Sequence, residues 1–334
     1  MYRNIKSIFI LKKPFTYISQ NKYLKLVKYN KSLQKKFGLS IDDYFKHSNQ
    51  IEIEIIPDQT ENKEIKEFIY IINQNYEKFY HIYFNDKTKE VKRHYIKASE
   101  KISKIIVIID MEVESIEQLF NYCVYIKEIK FIKFNRTDFT NYSSMFNYCT
   151  NLINLDISKL KTDKLKYMNS MFNNCSSLKY LNLSNFKTDK ITDMHCLFNQ
   201  CKSLEKLDLS NFKTDNVENM ESMFRGCSAL KELNISNFKT DNVQNMFLMF
   251  SECKSLKKLD LSNCRNDNVY DMSFMFDECC ALEELNISNF QFNNEIKINN
   301  MFCHCSDKLK TDIKDKFKNI KEKAFDDYEN YEEN

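Results

Sequence analysis

Between residues 123 and 305 the apolar positions return at one period. Written from Leu204, a repeat reads Leu-Glu-Lys-Leu-Asp-Leu-Ser-Asn-Phe-Lys-Thr-Asp-Asn-Val-Glu-Asn-Met-Glu-Ser-Met-Phe-Arg-Gly-Cys-Ser-Ala, 26 residues long. Leu204, Leu207 and Leu209 follow an L-x-x-L-x-L pattern that predicts a short strand with alternate leucines turned inward. The columns recur at Leu152, Leu155 and Ile157, at Leu178, Leu181 and Leu183, and onward through Leu230, Leu256 and Leu282. An aromatic column follows at Phe186, Phe212, Phe238 and Phe290. Val217, Met220, Met223, Phe224 and Cys227 then step by 3, 3, 1 and 3, which predicts one buried face of a short helix. Asp215, with Glu218 three residues on, is placed to cap that helix, and Asp163, Asp189, Asp241 and Asp267 recur in the same place. A unit of one strand and one helix cannot bury its apolar face alone, so the repeats must stack. The expected fold class is an α/β solenoid with a parallel sheet over residues 111–305.

The flanks change period. Residues 1–48 have helical spacing, with Gly38 as a stop and Ser40, Asp42 and Asp43 as a restart. In residues 49–110, Ile51, Ile53 and Ile55 alternate with glutamates. Phe68–Ile72, Tyr80–Phe84 and Val91–Ile96 are further strand-like runs, and Lys104–Asp110 reads as a buried strand. Leu309, Ile313, Phe317, Ile320 and Phe325 predict an amphipathic helix over 306–325 covering the last repeat, followed by an acidic tail, 326–334.

Composition narrows the chemistry. Fifty basic against 47 acidic residues give no electrostatic case for nucleic acid. Two glycines in 334 residues exclude a glycine-rich phosphate loop. The apolar run Ile8–Leu11 is too short for a signal peptide, which needs roughly 7–15 apolar residues, and no run approaches the ~18 of a membrane span. The expectation is an intracellular, cytoplasmic, monomeric protein.

Cysteine carries the repeat most regularly. Cys123, Cys149, Cys175, Cys201, Cys227, Cys253, Cys279 and Cys305 are each 26 residues apart. At the ends of packed helices, roughly 8–10 Å apart, they would lie beyond the ~4.4–6.8 Å that a disulfide spans. They are therefore expected as a structural ladder of buried thiols in a reducing compartment. Cys303-His304-Cys305 and Cys279-Cys280 raise the question of zinc, but a structural site needs four ligands and three cluster here. His81 and His94 stand without a cysteine or carboxylate at ligand spacing. An acidic column with one carboxylate in every second repeat does not make a calcium site. No catalytic, cofactor or metal site is expected, and no enzyme.

The string L-x-L-S-N-F-x-T-D-x-V-x-x-M-x-x-M-F-x-x-C, with Met-Phe pairs from Met145-Phe146 to Met301-Phe302 and Leu197-Phe198 as the one variant, resembles the BspA-type leucine-rich repeats. The resemblance implies a solenoid with a parallel sheet on one face and, for many such proteins, a surface or adhesive role. Residues 10–38 resemble an F-box, the helical module that recruits ubiquitin-ligase adaptors, through Leu11, Phe15, Ile18, Leu24, Leu26, Val27 and Lys31. Pro14 departs from that pattern by falling inside the first helix. The expected function is a non-catalytic scaffold for a protein partner. A ubiquitin-ligase substrate receptor and a surface adhesin exported without a signal are the alternatives. The expected contact surface is the outward strand positions Asn154, Asp156, Tyr180, Asn182, Lys206, Asp208, Glu232, Asn234, Lys258, Asp260, Glu284 and Asn286, which project to solvent between the leucines.

Overall fold

The computed structural model describes residues 31–37, 41–59, 65–85 and 89–327. Two short helices, α1 (Lys31–Phe37) and α2 (Ile41–Asn49), lead into β1 (Ile51–Pro57). Then come β2 (Ile65–Glu67), β3 (Tyr80–Phe84), β4 (Glu90–Val91), β5 (Tyr95–Lys97), β6 (Ile105–Ile109) and β7 (Ile126–Lys133). β1 lies antiparallel between β6 and β7, and Ile51, Ile53 and Ile55 are completely buried, as their alternation predicts. The sheet runs in the order β4-β3-β6-β1-β7-β8, where β8 (Asn154–Asp156) is parallel to β7. β7 is thus the hinge in the topology. It closes an antiparallel sheet on one edge and starts the stack of repeats on the other, so the sheet runs on past residue 110.

The expected α/β solenoid is overturned. Among the described residues the repeats hold no helix, and beyond β8 the parallel strands are three residues long and paired two by two. β9 (Lys206–Asp208) pairs with β10 (Glu232–Asn234), and β11 (Lys258–Asp260) with β12 (Glu284–Asn286). Where a helix was expected, each repeat has a ribbon of consecutive tight turns.

The backbone explains why. In every repeat two ribbon residues have positive φ, five residues and one residue before the ladder cysteine; Ser222 (53°) and Gly226 (69°) are the pair before Cys227. Neither residue can then belong to a right-handed helix. Alternate N–H groups leave the repeat altogether. Those of Met220, Ser222, Phe224 and Gly226 donate to the carbonyls of Asn245, Phe247, Met249 and Ser251, each 25 residues on, at 2.8–3.0 Å. The N–H groups between them close local turns, Met223 to Met220, Arg225 to Ser222 and Cys227 to Phe224. An α-helix needs each of these donors for its own carbonyl four residues back; here half are given to the neighbouring repeat. The apolar spacing of 3, 3, 1 and 3 fits both arrangements, which is why it misled.

The ribbon aligns identical side chains. Phe120, Phe146, Phe172, Phe198, Phe224, Phe250, Phe276 and Phe302 stack with ring centroids 5.3–5.7 Å apart and nearly parallel planes. The corner between strand and ribbon is tied by a threonine column. Thr214 Oγ1 donates to the Lys239 carbonyl (2.7 Å) and accepts from the Lys239 N–H (2.8 Å). Thr188 does the same with Lys213, and Asn266 substitutes with its amide on Gln291. Asp215 caps no helix; its carboxylate pairs with Lys239 Nζ at 2.7 Å.

The C-terminal segment closes the stack, though only part of it is helical. α3 (Asp307–Lys316) starts from Ser306, whose Oγ accepts the Leu309 N–H, and buries Leu309 and Ile313. A short 3-10 turn (Glu322–Ala324) then replaces the missing next repeat. The carbonyls of Lys323 and Ala324 accept from the N–H groups of Asn300 and Phe302, and the Phe325 ring stacks on Phe302 at 5.4 Å. These are the donors that an open end would leave unpaired.

Candidate functional site

The outward positions of the short strands form one open groove of about 1520 Å³. Nine of the twelve expected contact residues line it: Asn154, Asp156, Tyr180, Asn182, Lys206, Asp208, Glu232, Asn234 and Lys258. Asp260, Glu284 and Asn286 line an adjoining cavity of about 720 Å³, together with Leu309 and Ile313 of α3. Between the polar positions, Leu155, Leu181 and Leu233 reach the groove and are only partly buried. Tyr180 is the most exposed large hydrophobic residue here, at 66%.

Local chemistry fixes the shape. In one column, each Asp or Asn side chain accepts the N–H of the serine two residues on: Asp156 from Ser158 (3.1 Å), Asn182 from Ser184 (3.0 Å), Asp208 from Ser210 (3.0 Å) and Asp260 from Ser262 (2.8 Å). These are Asx turns, which need an acceptor of one length and accept Asp or Asn alike. That column is therefore committed to the backbone. The Ser210 and Ser262 N–H groups hold the carboxyls of Asp208 and Asp260 below the usual range, and the Ser158 hydroxyl does so for Asp156. The second column pairs across repeat boundaries, Lys206 with Glu232 at 2.6 Å and Lys258 with Glu284 at 2.7 Å. The same column begins with Asn154 and Tyr180.

The cysteine ladder lies in the core, at the end of the turn ribbons. All eight members are buried free thiols. They end turn ribbons, not helices, and they are more than apolar filler. From Cys149 to Cys305 each Sγ donates to the phenylalanine carbonyl 29 residues before it, at 3.1–3.3 Å; Cys227 bonds to Phe198. That carbonyl also accepts the Cys201 N–H, so both its lone pairs are used. Burial pushes the Cys227 thiol up to about 12 and keeps the ladder protonated. His81 has carboxylate partners that linear spacing hid: Glu90 of β4 at 2.9 Å and Asp110, just past β6, at 3.0 Å.

Two residues before the ladder cysteine runs a column that changes character. Asn121, Asn147, Asn173 and Asn199 form an amide ladder, with Nδ2 of each donating to Oδ1 of the one before at 2.7–2.8 Å. Arg225, Ser251, Asp277 and Cys303 continue it. At its end Asp277, Cys303 and His304 converge, with one donor atom from each lying within 4.8 Å of the others. Cys305, counted with Cys303 and His304 on spacing alone, points away to the Phe276 carbonyl. The signal for Asp277 was available, since it stands 26 residues before Cys303. On the same side of the stack Phe247 and Phe274 are half-buried and pack edge to face at 6.0 Å.

One family model matches, twice and with overlap, over residues 114–231 and 198–317; it is described as "Mycoplasma protein of unknown function, DUF285". The chain belongs to this family. The two matches cover the repeats that the cysteine spacing delimits, so this DUF285 chain is a repeat protein. Comparisons with the curated proteins and with the solved structures found no match. Among the described residues no helix of this DUF285 chain is long and apolar enough to cross a membrane.

Proposed function

We propose that this chain is a non-catalytic protein-interaction scaffold whose partner lies along the groove of the short strands. The observation that carries the reading is the partly exposed row Leu155, Leu181 and Leu233, bordered by Tyr180 and by charged groups already paired with one another. Such a floor favours an apolar stretch of a partner protein, with the paired charges as a polar rim. The BspA-type resemblance of the repeat string supports a binding role as well. Residues 10–38, on which the substrate-receptor alternative rests, lie outside the described residues except for 31–37. A reducing, intracellular setting accords with the ladder, because a disulfide would remove the thiol donors from the phenylalanine carbonyls.

The test places a photo-crosslinking residue at Tyr180 and, in a second variant, at Tyr270, which is exposed and outside the groove. In the native cell a discrete adduct is expected from position 180 and none from 270. With the partner in hand, Tyr180→Ala is expected to weaken binding by about 2 kcal/mol or more, as for an aromatic anchor, while stability stays within ~0.5 kcal/mol of the parent. Equal labelling from both positions sinks the reading.

A further inference from the structure

We propose that Asp277, Cys303 and His304 form a binding site for one divalent metal ion of the zinc class, built across the boundary of the last two repeats. The Cys303 Sγ lies 3.1 Å from His304 Nδ1, and Asp277 Oδ1 lies 3.1 Å from the same nitrogen. Tetrahedral coordination at usual zinc–ligand lengths would set these edges at about 3.3–3.6 Å, so side-chain movements of a few tenths of an ångström admit the ion. Cys303 is completely buried and Asp277 nearly so, while the His304 side chain stays 31% exposed and gives a path from solvent. A thiolate, an imidazole and a carboxylate together suit a borderline-soft ion and not calcium or magnesium, which take oxygen.

The same distances argue against a nucleophilic triad. A base that activates a thiol uses one ring nitrogen for the thiol and the other for the orienting carboxylate. Here both partners meet Nδ1, and Sγ is 3.8 Å from Nε2. One nitrogen approached by sulfur and oxygen together is the geometry of shared coordination.

The fold supplies the positioning. Asp277 and Cys303 occupy one column in successive repeats, and the Glu278 N–H to Cys303 carbonyl bond (3.1 Å) locks their register. Asp327 holds the backbone beside the site, its Oδ1 accepting the His304 N–H at 2.8 Å while Lys310 Nζ holds the carboxylate at 2.9 and 3.0 Å. A zinc-class ion takes four ligands, so the fourth would come from outside these three residues. On binding, the Cys303 S–H bond breaks, its proton passes to solvent, and the sulfur–metal bond forms; His304 coordinates as the neutral ring.

Cobalt(II) is the probe, added to the chelator-treated full-length chain. One equivalent is expected to give a thiolate-to-cobalt charge-transfer band that zinc then displaces. Cys303→Ser and Asp277→Asn are expected to abolish the band. Because both residues are buried, His304→Gln is the variant that leaves the core intact, and it too should lose the band while keeping the parent's unfolding transition. Cys280→Ser removes an exposed neighbouring thiol and should keep it. No band in the parent, a band that survives His304→Gln, or a band lost in Cys280→Ser would each overturn the site.

Discussion

The two long sides of the repeat stack are built from the same 26 residues and held together in different ways. On the ribbon side every second N–H crosses to the next repeat, and a phenyl ring, a thiol and a threonine hydroxyl each repeat that crossing. On the strand side the pairing is three residues long and joins repeats two by two, with ion pairs in water between them. Exposed ion pairs contribute little to stability, whereas buried backbone groups are costly to leave unpaired. The difference teaches where change is tolerated. Met, Phe, Cys and Thr hardly vary along the ribbon and corner, while one strand column reads Asn154, Tyr180, Lys206, Glu232, Lys258 and Glu284. Stacking is secured on one side, and the other carries the positions that differ most from repeat to repeat.

The strongest way to break this comparison is to cut the ring stack. Phe198 is completely buried, with Phe172 at 5.6 Å and Phe224 at 5.7 Å on its two faces. Phe198→Ala is expected to cost about 3–5 kcal/mol, read as a lowered midpoint in urea unfolding or as a separate early transition of the C-terminal repeats. A loss as small as that of Tyr180→Ala would mean that the ribbon does not carry the stacking.

A smaller effect is expected at the corner. Thr214→Val keeps the shape and removes one hydroxyl, leaving the Lys239 N–H and carbonyl without that partner. The expected cost is about 1–3 kcal/mol. Thr214→Asn should recover most of it, because Asn266 already serves Gln291 in this way. If valine and asparagine behave alike in thermal unfolding, the hydroxyl contacts matter less than the volume.

How much of this was legible depends on which bonds carry the structure. The buried columns were readable, because burial depends on residue type at a fixed period, and Leu204, Phe212, Met223 and Cys227 are all fully buried. The conformation of the ribbon was not. Helical spacing records which side chains face inward, and it is silent on whether the N–H of Ser222 or Gly226 is spent inside the repeat or outside it. Gly226 was a partial clue, as the one ribbon residue without a Cβ: an added Cβ would lie 2.3 Å from Gln200 Nε2. The groove was found because outward strand positions follow from period two. What linear reading left out is that its Asp and Asn column also accepts backbone N–H groups in Asx turns. At Cys303 the sequence grouped Cys303, His304 and Cys305, and the carboxylate that the fold brings to the first two, Asp277, comes from the preceding repeat.

The smallest expected effect probes the ribbon side electrostatically. His195 follows two residues after Asp193, and its Nδ1 lies 2.9 and 2.8 Å from the two carboxylate oxygens. The Asp193 hydrogen bond raises the imidazole above its ordinary value of 6.5, against an opposing effect of burial, and Glu221 adds attraction. A raised histidine value means that the folded state holds the proton more tightly than the unfolded chain does. The stabilisation is then fully present below about pH 6.5, where both states are protonated, and it fades as pH rises through the raised folded value. His195→Gln should therefore lose most stability at about pH 5 and approach the parent near pH 8. Since the ring is a third exposed, solvent screening keeps the difference small. Melting temperatures of parent and variant across that range would show the gap narrowing upward. A gap that is constant with pH would mean His195 acts through packing alone, and one that widens upward would reverse the assigned sign.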